Sequence, residues 1–381
     1  MKKCYFLLIF FCCSLIATAQ SFLSLQPYLQ NPAQDGITVM WRTTDPSYSW
    51  IEYGTDSLHV KVARTVEYGI VLSNITSHKV RISGLAPGQK YYYRVCSQKV
   101  LKFEGYSKEY APPVKTGFYS FTTLDSKGTD FTCVLFNDLH SNLLLFDLLC
   151  KQLKGVTFDF TVFNGDCFQD PSSEENELNI LAHFAKGINA ANKPAFFIRG
   201  NHEIRGAYAT GWPSLVDWDG NQPFFSFSFG DTRFVFLDNG EDKRDSHIEY
   251  SNMIEFDEFR DRETSWLMSE ITKPAFRNAT RRVLVQHIPI YSWENNWDPG
   301  FIPCRDLWEP IFKKTSFDIN ITGHLHRFAF YPAGKVDNPF PLIVGGGSNE
   351  QGAWVLILQK KENKLTLKAI DCQGKSELFE L

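Results

Sequence analysis

Five of the nine histidines of this chain sit in short polar blocks, most of them beside an Asp, an Asn or another His. In chain order the blocks are Asp138-Leu139-His140, Gly165-Asp166, Gly200-Asn201-His202-Glu203, His287 and Gly323-His324-Leu325-His326. Carboxylate and amide oxygens mixed with imidazole nitrogens are the donor set that hydrolytic divalent cations favour. A histidine pair at i and i+2 leaving a strand points both rings to one side. Singly, Asp-x-His reads as a surface turn and Gly-Asp as a loop. The two longer blocks are sharper, and the ordered set of five makes sense only if the fold gathers them.

The elements that would gather them are visible in the apolar runs. Phe131–Phe136 precedes Asp138, Phe158–Phe163 precedes Asp166, Ala195–Ile198 precedes Asn201, Val283–Val285 precedes His287, and Phe317–Ile321 precedes His324. Leu143–Leu153 reads as a helix, and Ser172 with Glu175 reads as a capping box that opens a second helix running to about Asn189. Strands alternating with helices predict an α/β sheet, whose sites collect at the carboxyl ends of strands. Glycines 165, 200 and 323 allow tight strand exits with close backbone approach. The run Gly345-Gly346-Gly347-Ser348 lacks the Lys and helix start of a phosphate-binding loop and reads as a turn after the strand Pro341–Val344.

A length of 381 residues predicts two domains, and 43% hydrophobic with 15% aromatic residues predicts well-packed cores. A formal net charge of -4 and the lack of Lys or Arg runs give no reason to expect nucleic acid beyond small nucleotides. Residues 1–19 read as a signal peptide: Lys2 and Lys3, an apolar stretch from Tyr5 to Ile16, and Ala17-Thr18-Ala19 as the cleavage site. That stretch is shorter than the roughly 20 residues of a spanning helix, and Phe11 before Cys12 argues against a lipid anchor. The expected location is therefore periplasmic or extracellular, with no membrane span. Past the leader the six cysteines contain no C-x-x-C pair, so no zinc knuckle is expected. Cys133 reads as a small core hydrophobe; Cys167, next to Asp166, reads either as a core thiol or as a reactive one.

Residues 20–125 alternate in strand fashion. Ile37–Trp41, Ser49–Tyr53 and Tyr91–Val95 are β-branched and aromatic runs, and Leu85-Ala86-Pro87-Gly88 is a turn before the last of them. This region resembles a fibronectin type III module, an all-β sandwich that serves as a spacer or packing partner. Asp125–Thr129 is the expected linker, and residues 130–381 form the second domain.

The ordered blocks resemble the calcineurin-like metallophosphoesterase superfamily. With a β-sandwich in front, and with Gln26–Gln30, Glu52-Tyr53-Gly54 and Phe121-Thr122-Thr123 inside it, the chain is most similar to the purple acid phosphatase branch. The resemblance implies a four-layer α/β/β/α sandwich with a dinuclear centre between its sheets. It places one divalent ion on Asp138, His140 and His326, the other on Asn201, His287 and His324, and Asp166 between them; Fe, Zn or Mn are the candidate metals. Purple enzymes carry a Gly at the position of His140 and a coloured tyrosinate at that of Gln169, so this centre is expected to be colourless and its ferric iron is put in doubt. The resemblance makes His202 a group that donates to phosphate or protonates the leaving alkoxide, against the plainer reading that it shapes the Asn201 loop. Glu203 is expected either to fix the His202 tautomer or to brace its loop, and Asp166 enters the chemistry through the ions it bridges.

The expected function is an exported phosphomonoesterase acting on a small-molecule phosphate ester by attack of a metal-bound hydroxide. The rival readings are a phosphodiesterase or nucleotidase using the same residues, and a metal-stabilised surface binding protein. Tyr208, Trp212 and the segment Tyr291–Trp297 could stack on an aryl or nucleobase group, or simply pack their loops.

Overall fold

The computed structural model describes residues 22–125, 128–291 and 302–381, so the leader and the segment holding Trp293 and Trp297 lie outside the described residues. The chain divides into two compact units. The first takes the residues up to Asp125 together with Asn189–Pro194, and the second takes Ser126–Ile188 and Ala195–Leu381.

The first unit is an antiparallel β-sandwich built on one long strand, Gly36–Gly54. Its first half pairs with Ser73–Ser83, and after a register shift between Arg42 and Ser47 its second half pairs with Lys90–Glu104. A strand that changes partner at an irregularity lets one chain segment serve both sheets. Leu29, Val39, Trp41, Ile51, Val80, Ile82, Tyr93, Val95 and Phe121 form the core. Two polar groups buried with it are bonded: the Trp41 indole donates to Ser97 Oγ (3.3 Å) and stacks on His78 at 5.1 Å, and Tyr93 donates to Ala191 O (2.7 Å).

The second unit holds two sheets. In one, Ala195–Ile198, Phe160–Asn164 and Phe131–Phe136 are parallel, and Trp354–Lys361, Lys364–Asp371 and Ser376–Glu380 continue antiparallel. The other runs Phe225–Phe229, Thr232–Leu237, Arg281–Gln286, Ile319–Thr322, Leu342–Gly346, Arg327–Tyr331. The period of two along each strand sorts the phenylalanines. Phe131, Phe160 and Phe196 meet Phe227 and Phe234 of the other sheet at 4.6 to 5.5 Å. Phe163 lies on the outer face, packed with Phe197 and with Phe146 and Phe184 of the helices Leu143–Gln152 and Glu174–Gly187. Removing one such ring, for example by Phe160→Ala, would cost about 3–5 kcal/mol. The helices Phe256–Glu270 and Ile302–Phe312 contribute Leu267 and Trp308 to the core over the other sheet. The unit is thus the expected four-layer α/β/β/α sandwich.

The elements expected from sequence are present, with shifted ends. The second helix is capped by Ser173, whose Oγ accepts from the Asn176 N–H (3.2 Å), and not by Ser172, whose N–H goes to Glu177 Oε1 (3.0 Å). It closes at Gly187, because Asn189–Pro194 belongs to the first unit. Among the described residues no helix is long and apolar enough to cross a membrane.

Candidate metal centre

The polar blocks all emerge at the carboxyl ends of the central strands, where the backbone is forced into sharp exits. Asp138, His140, Asp166, His324 and His326 all have φ between +46° and +70°. Left-handed backbone in non-glycine residues is tolerated best by Asp, Asn and His and persists where the surroundings over-determine it. Here backbone bonds do so: Asp138 N–H to Gly165 O (3.1 Å), His140 N–H to Asp166 O (2.8 Å) and Gly323 N–H to His287 O (2.8 Å). Gly165 has φ +78°, and a Cβ there would lie 2.4 Å from the His287 ring; one on Gly200 would lie 2.3 Å from Asp166 Oδ1. No side chain fits at either position.

These exits bring together two donor groups that share one residue. Ligand atoms of Asp138, His140, Asp166 and His326 lie within 4.8 Å of one another, and so do those of Asp166, His287 and His324. Asn201 joins the second group, its Oδ1 2.9 Å from His324 Nδ1. Asp166 is common to both groups.

The electrostatics of the pocket call for cations. Asp138 and Asp166 are fully buried side by side. Burial pushes the Asp138 carboxyl well above the usual range, opposed by His287; for Asp166 burial acts the same way, but His287 overrides it and holds the group low. His287 in turn is driven down by burial and up by Asp166 and Asp138, which prevail and raise it to about 10. His287 Nδ1 donates to Asn164 O (2.8 Å), which aims Nε2 at the carboxylates, 3.0 Å from Asp166 Oδ2. His140 Nε2 and His326 Nε2 face each other at 2.9 Å, while Gln169 Oε1 accepts from His140 Nδ1. Burial lowers His140 to about 4 and His324 to about 3, so both rings stay neutral, the form that ligates a metal. Converging imidazole nitrogens and neighbouring buried carboxylates are a donor set that fits two divalent ions.

His202 flanks this cluster, its ring 4.6 Å from that of His140. Its partner is Asp170, whose Oδ1 lies 2.9 Å from Nδ1, with Gln169 Nε2 at 3.1 Å. Glu203 is placed differently from the tautomer-fixing expectation. It is buried, and its carboxylate accepts the N–H groups of Asp166 (2.9 Å), Cys167 (2.8 Å), Phe168 (3.0 Å) and Gly200 (2.7 Å). The backbone geometry of the two exits claims all of its acceptor capacity, so it braces the Asp166 and Asn201 loops. Sequence reasoning passed over Asp170; its only signal was a carboxylate four residues beyond Asp166 in one loop. Asn137 and Asn164 acquire a role: Asn164 Nδ2 donates to Asn137 Oδ1 (2.8 Å), tying the first two exits together. Cys167 is buried, and burial pushes its thiol well above the ordinary range, which leaves a core thiol and not a nucleophile. All six described cysteines are free. Trp212 and Tyr291 are buried, and Tyr208 bonds Glu174 and Ser214, so these aromatics pack their loops.

Residues 131–328 match the family described as Calcineurin-like phosphoesterase, and residues 24–123 match the Purple acid Phosphatase, N-terminal domain. The chain belongs to the calcineurin-like phosphoesterase family. Its members are metal-dependent phosphoric ester hydrolases, and so is this chain. Purple acid phosphatase 21 of Arabidopsis thaliana is 23% identical over 375 residues, which cover 91% of this chain and 76% of that protein. In fold, the chain is similar to purple acid phosphatase PPD1 from yellow lupin (Lupinus luteus) seeds, with TM-score 0.65, 15% identity and coverage of 93% of this chain and 74% of that one. It is also similar in fold to PhoD, with TM-score 0.65, 12% identity and coverage of 94% and 89%. In a calcineurin-like phosphoesterase, two donor groups meeting at one aspartate are the expected seat of a dinuclear centre.

Proposed function

We propose that this calcineurin-like phosphoesterase is an exported phosphomonoesterase whose seven ligands are Asp138, His140, Asp166, Asn201, His287, His324 and His326, with His202 as the general acid. The observation that carries the reading is the His202–Asp170 pair standing beside two donor groups that share Asp166. When bound, two divalent ions would hold the phosphate, neutralise its charge and supply the attacking hydroxide.

The protein's own residues do the rest. Asp170 at 2.9 Å orients the His202 ring and balances the charge that the ring carries when protonated. His202 Nε2 gives its proton to the departing alcohol oxygen, so the alcohol leaves neutral. Glu203 fixes the backbone of both exits, and Asn164 sets the His287 tautomer through its carbonyl. Gln169 bonds His140, and with no tyrosine there the loaded protein is expected to be colourless. Export is supported by the leader pattern of residues 1–19.

The reading is tested by metal analysis with mono- and diester assays on wild type and His202→Ala. Two ions per chain, monoester kcat/KM above diester, and a loss of about 100-fold in the variant are expected. Two bound ions with no turnover in wild type overturn the reading, and superior diester turnover overturns the monoester preference.

A further inference from the structure

Gln169 stands between the candidate centre and His202, and its amide touches both sides. One end of the amide lies 2.6 Å from Asp170 Oδ2, and the other faces His140 Nδ1. A carboxylate only accepts, so the end at Asp170 is the NH₂ group and the end at His140 is the carbonyl oxygen. That oxygen only accepts in its turn, so His140 carries its proton on Nδ1. The lone pair is left on His140 Nε2, the atom that faces His326 Nε2 at 2.9 Å and the carboxylates of Asp138 and Asp166 at 4.0 Å.

The hydrogen-bond path continues to His202. Asp170 Oδ1 lies 2.9 Å from His202 Nδ1, and Gln169 Nε2 is 3.1 Å from the same nitrogen. Amide and imidazole thus converge as two donors on the two oxygens of one carboxylate. His202 Nε2 is the nitrogen left for the centre, 4.0 Å from Asp166 Oδ2.

Gln169 is exposed, yet its backbone is pinned to the neighbouring exits. Its N–H donates to Ser141 Oγ (2.9 Å), and the Ser141 N–H donates to Cys167 O (2.9 Å). One residue beyond Asp170, Pro171 O accepts the Tyr208 N–H (2.8 Å), and a Cβ on Gly206 would lie 2.0 Å from that oxygen. The segments of His140, Asp170 and His202 are thereby closed around the amide, with the His140 and His202 rings 4.6 Å apart.

We propose that Gln169 is a positioning residue with two separable arms: Oε1 presents His140 Nε2 to an ion, and Nε2 holds the Asp170 carboxylate that orients His202. The inference rests on His202 being the general acid, and it names the group that ties that acid to a metal ligand. Two variants separate the arms. Gln169→Glu keeps an acceptor for His140 but sets a negative charge against Asp170, whereas Gln169→Met keeps the length and removes both arms. The first readout is Zn²⁺ affinity of the chelator-stripped full chain by titration calorimetry. The second is the ratio of kcat/KM for ethyl phosphate to that for 4-nitrophenyl phosphate in the metal-loaded chain. 4-Nitrophenolate leaves without a proton, so the ratio follows the general acid. A loss of folded or loaded protein lowers both esters together and cancels.

Gln169→Glu should bind Zn²⁺ no more weakly than wild type and lower the ratio about tenfold; Gln169→Met should lower the ratio similarly and weaken Zn²⁺ binding about tenfold. His202→Ala, the reference, should lower the ratio most. If it does so and neither Gln169 variant does, Gln169 does not position the acid, and the inference falls while the general-acid reading stands. Zn²⁺ binding weakened equally by both variants, or by neither, overturns the ligand arm. A ratio unchanged in His202→Ala, or no turnover by wild type, overturns that reading and this inference with it.

Discussion

The two units treat buried charge in opposite ways. In the β-sandwich, Glu52 is buried, but Lys115 and Arg94 reach its two oxygens at 2.7 and 2.6 Å. Burial pushes Glu52 up, and the hydrogen bonds from Lys115 and Arg94 overcome it and bring the group to about 2. In the catalytic unit Asp138 and Asp166 are buried with no Lys or Arg paired to them among the described residues, and their close partners are histidines, His287 lying 3.0 Å from Asp166. Backbone strain divides the same way. Left-handed residues of the sandwich such as Asn31 and Tyr68 lie at turns, whereas Asp138 and Asp166 carry the same conformation with 0% and 1% exposure. The sandwich compensates its buried carboxylate with fixed cations, whereas the catalytic unit gathers carboxylates and imidazoles whose charge and lone pairs a bound cation would satisfy.

The sharpest way to break this contrast is Asp166→Asn. Both donor groups lose their shared carboxylate, so metal content should fall below two per chain and kcat/KM by about 10³-fold or more, read by metal analysis and assay. The apoprotein should also lose stability in urea, since the substitution removes the buried charge partner of His287. Glu52→Ala should instead leave metal content and kcat/KM as in wild type while lowering stability by about 1–2 kcal/mol, because its cations are partly exposed. A Glu52→Ala variant that loses metal would erase the distinction between the units.

Glu203→Gln comes next. Replacing an acceptor-only carboxylate by an amide sets an NH₂ group against two of four N–H donors, so a stability loss of about 2 kcal/mol and weaker metal binding are expected. Calorimetric melting with and without metal would show both, and a change in neither would deny the bracing role.

A pH effect should reside in the sandwich. Burial, aided by Arg42, lowers His78 from 6.5 to about 4. The unfolded chain therefore takes up a proton that the folded one refuses, so this stability is present above pH 6.5 and is lost as pH falls toward 4. The loss is on the order of 3 kcal/mol. Urea titrations at pH 7 and 4.5 should show that slope in wild type and a flatter one in His78→Asn. Equal slopes would remove His78 as the cause.

Much of the site was legible because its chemistry is local. Each strand exit carries its own donor types, so Asp138, His140, Asp166, Asn201, His202, His287, His324 and His326 could all be named one motif at a time. What escaped was long-range or disguised. The helix Phe256–Glu270 hides its period because Arg260, Glu263 and Glu270 occupy buried positions. Glu203 adjoins His202 in sequence, yet its acceptors are spent on a loop more than thirty residues away. Cys167 adjoins Asp166, yet burial disarms it.

The sequence by itself determined the donor types, their order at the ends of apolar runs, and the division into a β-rich and an α/β region, because side-chain chemistry and strand periodicity are properties of short segments. Only the tertiary structure decided which donors lie together, and that Asp170 and not Glu203 partners His202. Those facts depend on distances between segments far apart in the chain, and packing of the two phenylalanine-lined sheets sets those distances.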